Sequence, residues 1–271
     1  MPVINTNVAS IQARSNFERV QRDMDQSIAR LSSGKRINTA HDDAAGQAIS
    51  GRMESQIRGL TMQVKNARDA QSLVDTTEGA MQEITGILQR MRELAVQASS
   101  GIATTADKGY LDTEVEALIA EIEAISVNTT FNEQTILSDV GFSFYTDINV
   151  TGTKISTTVA NMSTSVLGVT ALEVEIGTTA AAAIVAIDQA LTTVNDKRAH
   201  MGAISNRLDH VIDNLTNVIA NTAAAQSRIQ DADYAVETTA LTRATILQQA
   251  ATSMIAQANA NKNSIMTLIQ G

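Results

Sequence analysis

The C-terminal part of the chain reads ALTRATILQQAATSMIAQANANKNSIMTLI, from Ala240 to Ile269. Small or apolar residues recur in it at steps of three and four, which is the spacing of a helix that pairs with another helix along one face. The repeating positions are Ala240, Ala244, Leu247, Ala251, Met254, Ala258, Asn261, Ile265 and Leu268. The pattern therefore predicts a long helix with a narrow seam of small residues and one polar position, Asn261.

The other end of the chain predicts a matching helix. Its apolar residues recur at similar steps, and Ser32-Ser33-Gly34 ends the pattern with a glycine suited to the left-handed residue after a helix. We expect both terminal helices to act in assembly through Val8, Ile11, Phe17, Val20, Met24, Ile28, Leu247, Ala251, Met254, Ile265 and Leu268.

Neither terminal helix carries enough large side chains to fold alone. Buried apolar area contributes about 25 cal/mol per Å², whereas ordering the backbone costs ~1–2 kcal/mol per residue. We therefore expect the two ends to be poorly ordered in a free monomer and to fold on association.

The remaining helices are predicted from the same periodicity. One long apolar stripe runs from Met53 to Met91 and stops at Ser99-Ser100-Gly101, and Thr39 with Asp42 and Asp43 is typical of a helix start before it. A shorter helix follows with heptad positions Leu111, Val115, Leu118, Ile122 and Ile125. A third seam comprises Ile187, Leu191, Val194, Met201, Leu208, Ile212, Leu215 and Ile219, and the acids Asp231 and Asp233 interrupt it.

The middle of the chain loses the helical period. The segments FSFYTDINV, from Phe142, and KISTTV, from Lys154, are rich in β-branched and aromatic residues and predict a small hairpin. The fold class is thus mainly α: long antiparallel helices forming coiled-coil termini and a helical bundle, with a small β region at about 140–177. We predict an inner coiled-coil domain of residues 1–41 and 232–271, and an outer helical-bundle domain of residues 42–231.

Composition excludes several classes of function. The net charge of −9 argues against nucleic-acid binding, and the absence of cysteine excludes disulfides and thiolate sites. No apolar run reaches the ~20 residues of a membrane span, and the N-terminus does not resemble a cleavable signal, so we expect any export to use another machine. His41, His200 and His210 form no ligand pattern, and Asp42 and Asp43 have no neighbouring nucleophile. We therefore expect no enzyme activity, no metal and no cofactor.

Several blocks of sequence resemble the conserved ends of bacterial flagellins. The N-terminal blocks are LSSGKRIN (Leu31–Asn38), DDAAGQAIS (Asp42–Ser50) and LQRMRELAVQAS (Leu88–Ser99). The C-terminal blocks are SRIQDADYA (Ser227–Ala235) and ILQQAATSMIAQAN (Ile246–Asn259), with SVLGVTALEV (Ser165–Val174) between the halves. The chain is thus identified as resembling a short flagellin without large variable outer domains.

This resemblance implies a structural subunit of the flagellar filament, the motility propeller, which lies outside the cell. It implies self-assembly as a helical homopolymer, with the hook-associated junction and cap proteins, the flagellar export apparatus and an export chaperone as further partners. A hook–filament junction protein is the near alternative, and a secreted helical effector or adhesin is the alternative from another class.

The resemblance also implies a second use of one surface. Gln89, Arg90, Leu94 and Glu114 match the positions through which flagellins engage the host flagellin-sensing Toll-like receptor. The same residues are equally typical of a solvated or subunit-contacting helix face, and filament packing is the native role that we favour for them. Receptor binding is therefore a hypothesis about the monomer.

Overall fold

The computed structural model describes residues 6–145, 154–159, 161–172 and 177–270; the side chains of residues 140, 144, 145, 154–157, 177–179 and 262–270 lie outside this description. The described helices are α1 (Val8–Ser33), α2 (Ala44–Ala98), α3 (Thr105–Asn128), α4 (Thr164–Leu167), α5 (Gly177–Gln230) and α6 (Tyr234–Gln270). The described strands are β1 (Thr130–Phe131), β2 (Gln134–Thr135), β3 (Val140–Tyr145) and β4 (Lys154–Val159). The mainly α fold class is confirmed.

Most helix ends lie where the sequence predicts them. Helix α1 ends at Ser33, and Gly34 adopts a left-handed φ of 69° while its N–H donates to the carbonyl of Arg30 at 2.8 Å. Helix α2 ends at Ala98, directly before the predicted Ser-Ser-Gly stop. Helix α3 begins with a capping box that was not predicted from the sequence: Thr104 and Asp107 each accept the other's backbone N–H. The hydrogen bonds from Thr104 also lower the pKa of Asp107.

The predicted start of α2 at Thr39 is wrong. The helix begins at Ala44, and Asp43 caps it by accepting the N–H of Gly46 at 2.9 Å. Asp42 instead closes the preceding turn, where its carboxylate accepts the N–H groups of Thr39 and Asn38. The Thr39 N–H and the side-chain amide of Gln26 are the main reasons why the pKa of Asp42 falls from its usual 3.8 to about 2.

The chain divides into two compact units. Met1–Ile57 with Ala220–Gly271 forms one unit, and Arg58–Ile219 forms the other. The boundaries between the two units fall within α2 and α5. The division into filament domains at 41/42 and 231/232 is a statement about the assembled protein and stays a prediction.

The core of Arg58–Ile219 follows heptad spacing on three helices. Its buried positions repeat every seven residues on α5, on α2 and on α3, which is the spacing of coiled-coil-like packing. They include Ile187, Val194, Met201 and Leu208 on α5, Val74, Met81 and Leu88 on α2, and Val115 and Ile122 on α3. Buried Thr77 and Thr85 fit this apolar interior because each hydroxyl donates to the carbonyl four residues earlier.

The strands pack against one part of the core of Arg58–Ile219. Strands β3 and β4 pair antiparallel from Val140 opposite Val159 to Tyr145 opposite Lys154, which confirms the predicted hairpin; its connecting residues lie outside the described ranges. Strands β1 and β2 form a second, unpredicted hairpin around Asn132 and Glu133, whose φ values are both positive.

One carboxylate ties the segment after the hairpins to α3. Glu123 accepts the N–H of Thr164 at 3.0 Å and its hydroxyl at 2.8 Å, and these bonds, the backbone one first, lower the pKa of Glu123. The buried side chains of Leu167 and Val169 then join the core.

Candidate assembly surface

Helices α1 and α6 pair antiparallel, and polar contacts mark the pairing along its whole length. Asn7 donates to the carbonyl of Ala258, and the hydroxyl of Ser10 bonds Asn259. Further along, the amide of Gln248 donates to that of Gln21 at 2.8 Å. The predicted pairing of the two chain ends is therefore present within a single molecule.

A polar cluster holds the end of this pair where α1 stops and α6 starts. The Arg30 guanidinium lies 3.0 Å from the carboxylate of Glu237, and both side chains are largely buried. Arg36 donates its backbone N–H to the carbonyl of Gln230 and its guanidinium to that of Ile229, at 2.7 and 2.6 Å. We call Arg30, Arg36 and Glu237 the polar lock.

At some positions of the seam between α1 and α6, the residue that is buried is the neighbour of the predicted one. Val20 is buried, and Phe17, Met24 and Ala251 are partly buried, as the seam predicts. Ile28, however, is 46% exposed while its neighbour Ser27 is buried. The seam on α6 comprises Glu237, Leu241, Ala244, Gln248, Ala251, Ile255 and Ala258, all buried or partly buried.

The remaining large apolar residues predicted for assembly face away from this seam. Leu247 is 47% exposed and Met254 62%, and Val8 and Ile11 are each 61% exposed. The side chains of Ile265 and Leu268 lie outside the described residues. We call the four exposed residues, with Ile28, the outward apolar face. Asn261, predicted for the seam, is exposed and accepts a hydrogen bond from Gln257 on the same helix.

The outward side of α6 also carries few charged groups. Between Thr238 and Gly271 the only charged side chains are those of Arg243 and Lys262, and none is a carboxylate. The hydroxyls of Thr239, Thr242 and Thr245 each donate to a carbonyl four residues earlier on the helix. Because these hydroxyls are already bonded, their removal from water on contact with another protein costs less than that of free hydroxyls.

The receptor-related residues form a separate surface on α2 and α3. Arg90 lies 2.9 Å from Glu114 and 3.2 Å from Glu93, and the hydrogen bond that it donates to Glu114 is the main cause of its raised pKa. Gln89 is exposed beside it. Leu94, by contrast, is 1% exposed and belongs to the core. The motif groups Leu94 with exposed residues of the same helix, so the sequence alone predicts a surface position for it. The motif in fact contains residues from both faces of α2.

The described residues contain no group of three or more histidine or acidic side chains suited to a metal ion. Among the same residues, no helix is long and apolar enough to cross a membrane.

Comparisons with known proteins point to one family. Residues 4–141 match the family model of the bacterial flagellin N-terminal helical region, and residues 184–269 match that of the C-terminal helical region. The chain is 40% identical to a flagellin of Halalkalibacterium halodurans, with 99% of this chain and 100% of the relative covered. It is 33% identical to flagellin FlaB2 of Treponema pallidum, with the same coverage of each chain.

A solved structure agrees with the sequence relatives. The crystal structure of Bacillus cereus flagellin is similar with a TM-score of 0.51 and 32% identity, over 60% of this chain and 94% of that chain.

Proposed function

This chain belongs to the bacterial flagellin family, and we propose that the outward apolar face of its two terminal helices joins neighbouring copies in the flagellar filament. The family is one of structural proteins, so the chain is a self-polymerising filament subunit and not an enzyme. As a filament component it belongs to an extracellular filament.

One observation supports this use of the terminal helices most directly. The α1–α6 pair buries a seam of its own, yet it leaves Val8, Ile11, Leu247 and Met254 at least 47% exposed. Large apolar side chains grouped on a surface mark a protein–protein contact. Their position outside the seam means that intramolecular pairing and contact with a neighbour do not compete for the same residues.

Replacing Leu247 and Met254 with alanine should weaken assembly without unfolding the monomer. If each side chain loses about 40 Å² of apolar area at the contact, at about 25 cal/mol per Å², the pair loses about 2 kcal/mol. The critical concentration for polymerisation should therefore rise by at least about tenfold. Sedimentation of filaments grown from fragments of wild-type filament measures this concentration.

The matched control is Met62→Ala on α2, because Met62 is 56% exposed but belongs to the other compact unit. We expect M62A to assemble as the wild type does. An equal loss of assembly in the control and in L247A/M254A would contradict a specific role for the terminal helices.

Further partners follow from membership of the family and are part of the proposal. We expect hook-associated junction proteins to bind one end of the filament and a cap protein the other. Export would use the flagellar export apparatus with an export chaperone. The full-length similarity to filament proteins, such as the 33 kDa core protein of Treponema phagedenis, favours a filament subunit over a junction protein, effector or adhesin.

For the monomer, the proposal includes recognition by the host flagellin-sensing Toll-like receptor. Gln89, Arg90 and Glu114 form an exposed polar surface that a partner can reach. Leu94 is buried, so it would contribute indirectly, by holding α2 and its exposed residues in place.

Arg90→Ala should lower receptor signalling by the monomer, because it removes the guanidinium that holds Glu114 in a fixed position. A reporter assay with purified monomer measures the concentration for half-maximal response, which should rise by about tenfold, as for a hot-spot residue. Arg92→Ala is the matched control, since Arg92 has similar exposure and its own partner, Asp188, at 2.7 Å. Unchanged signalling by R90A would refute the assignment of this site.

A further inference from the structure

Methionine is the residue type of this chain that mild oxidants change reversibly, because the sequence contains no cysteine. There are ten methionines, and the two ends of their range of burial are clear. Four have no exposed surface, namely Met81, Met91, Met162 and Met201. Two are partly buried, namely Met24 and Met53. Among the described side chains, the largely exposed methionines are Met62, at 56%, and Met254, at 62%.

The thioether of Met254 has little cover from its own helix. Residues three and four positions away are its neighbours on the helix surface, and three of these four are alanines, namely Ala250, Ala251 and Ala258. This accessibility does not require α1 and α6 to be paired. In the free monomer, whose ends we expect to be poorly ordered, the thioether lies in water as well. A small oxidant can therefore reach the sulfur in every subunit that has not yet joined a filament.

The reaction of this thioether with a hydroperoxide is a simple oxygen transfer. A lone pair of the Met254 sulfur attacks one oxygen of hydrogen peroxide, so that an S–O bond forms and the O–O bond breaks. The second oxygen leaves as hydroxide and takes up the proton of the transferred oxygen, which gives water. The sulfur loses two electrons and the peroxide gains them. The product is methionine sulfoxide, a polar side chain that methionine sulfoxide reductases convert back to the thioether.

A sulfoxide at position 254 would find few hydrogen-bond donors on its own helix. The hydroxyl of Thr252 already donates to a backbone carbonyl of α6, and the amide of Gln257 donates to Asn261. The nearest cationic residue along the helix is Lys262, eight positions and about 12 Å away. A neighbouring subunit that covered the sulfoxide oxygen would therefore bury a strong dipole without a partner from α6, which opposes binding.

We propose that Met254 is an oxidation site that controls the addition of subunits to the filament, with a hydroperoxide as the oxidant. The thioether lets the outward apolar face join a neighbour, and the sulfoxide prevents this until a reductase removes the oxygen. The inference rests on the proposed function, because the sulfoxide opposes assembly only if this face is covered in the filament. A covered thioether is protected, so the modification acts on subunits before they join.

Two other methionines separate accessibility from location. Met62 is similarly exposed but belongs to the other compact unit. Met24 lies in the seam of the terminal pair and not on the outward apolar face, and Gln21, three residues earlier, carries an amide that can donate to a sulfoxide there. We therefore expect oxidation of either residue to impair assembly less than oxidation of Met254 does.

The first test follows oxidised and unoxidised chains in one sample. The full-length monomer is partly oxidised with hydrogen peroxide, and filaments are grown from isotope-labelled fragments of wild-type filament. Peptide mass spectrometry then measures the sulfoxide at each methionine in the sedimented filaments and in the supernatant. The ratio of sulfoxide to thioether at Met254 should be about tenfold lower in the filaments, as expected for one buried polar group without a partner. At Met62 the ratio should be equal in both fractions.

Leucine variants assign the effect to one residue. M254L, M24L and M62L are each compared with their own untreated sample, so a change in basal assembly caused by leucine does not enter the comparison. Complete oxidation of the accessible methionines should raise the critical concentration of the wild type, M24L and M62L by about tenfold, and that of M254L by less than about twofold. Methionine sulfoxide reductases acting on both sulfoxide epimers should restore assembly of the oxidised wild type.

Equal entry of Met254 sulfoxide and thioether into filaments would overturn the proposal, and so would an equal effect of peroxide on M254L and on the wild type. Failure of the proposed function looks different, because untreated L247A/M254A would then assemble normally. An assembly defect of untreated L247A/M254A together with tolerance of the sulfoxide would refute the oxidation site and leave the outward apolar face as a contact between subunits.

Discussion

Gly46→Ala should destabilise the turn and helix start at Asn38–Gln47 by about 1–3 kcal/mol, which is the usual cost of overpacking and of a lost N-cap. A Cβ at position 46 would lie 2.5 Å from a carboxylate oxygen of Asp43 and 2.6 Å from Cδ1 of Ile37. If Asp43 moves away, α2 loses its cap; Ile37, 2% exposed, has little free space to enter. Either adjustment loosens the turn that follows α1.

Gly59→Ala is the control, and we expect it to change the stability in the opposite direction. Gly59 also lies within α2, but an added Cβ there meets nothing within 4 Å. Alanine should therefore stabilise the helix by roughly 0.5–1 kcal/mol, because it restricts the unfolded chain. Amide hydrogen exchange around each substituted residue, together with denaturant unfolding, measures both effects. Equal stabilisation by the two substitutions would show that the space around Gly46 is not restrictive.

The helices were predictable from the sequence because their signals are local. Ser-Ser-Gly at 32–34 and at 99–101 marks the end of two helices, and at the first of them Gly34 adopts the left-handed conformation. The seam of Ile187, Val194, Met201 and Leu208 was predictable because large apolar residues that repeat every seven positions lie on one face of a helix, and such a face is buried. The capping role of Asp43 was harder, because two adjacent aspartates satisfy the same local pattern and the turn geometry decides between them.

The face that α6 buries was only partly predictable, for a physical reason. Adjacent positions differ by 100° on a helix, so the sequence offers both Gln248 and Leu247 as candidates for the seam, and hydropathy favours Leu247. Gln248 is nevertheless the seam residue because Gln21 on α1 satisfies its amide. Buried polar residues are explained only by their partners, and a partner more than 200 residues away along the chain cannot be read from local sequence. Ser27 is likewise buried where hydropathy favours its neighbour Ile28.

A chain that ends at Ala251 should not form filaments, whereas its Arg58–Ile219 unit should unfold as in the full-length protein. The deletion removes Thr252–Gly271, which includes Met254 and the α6 partners of Asn7 and Ser10. The first half of α1 is then left without a partner, and an isolated helix of this length is marginal in water. Both the contact between subunits and the pairing within one subunit are lost at once.

The magnitude expected from the truncation exceeds that of L247A/M254A, because the whole end of the α1–α6 pair is absent and not only two side chains. Electron microscopy and sedimentation after addition of wild-type filament fragments should detect no growth at concentrations roughly 100-fold above the wild-type critical concentration, a difference of about 2.7 kcal/mol. Thermal unfolding of the Arg58–Ile219 unit should change by less than about 0.5 kcal/mol, since its buried core contains none of the deleted residues. Filaments of normal form from the truncated chain would show that assembly does not require this half of α6. Loss of the Arg58–Ile219 core would instead show that the two compact units depend on each other for folding, and the assembly defect would then need a different explanation.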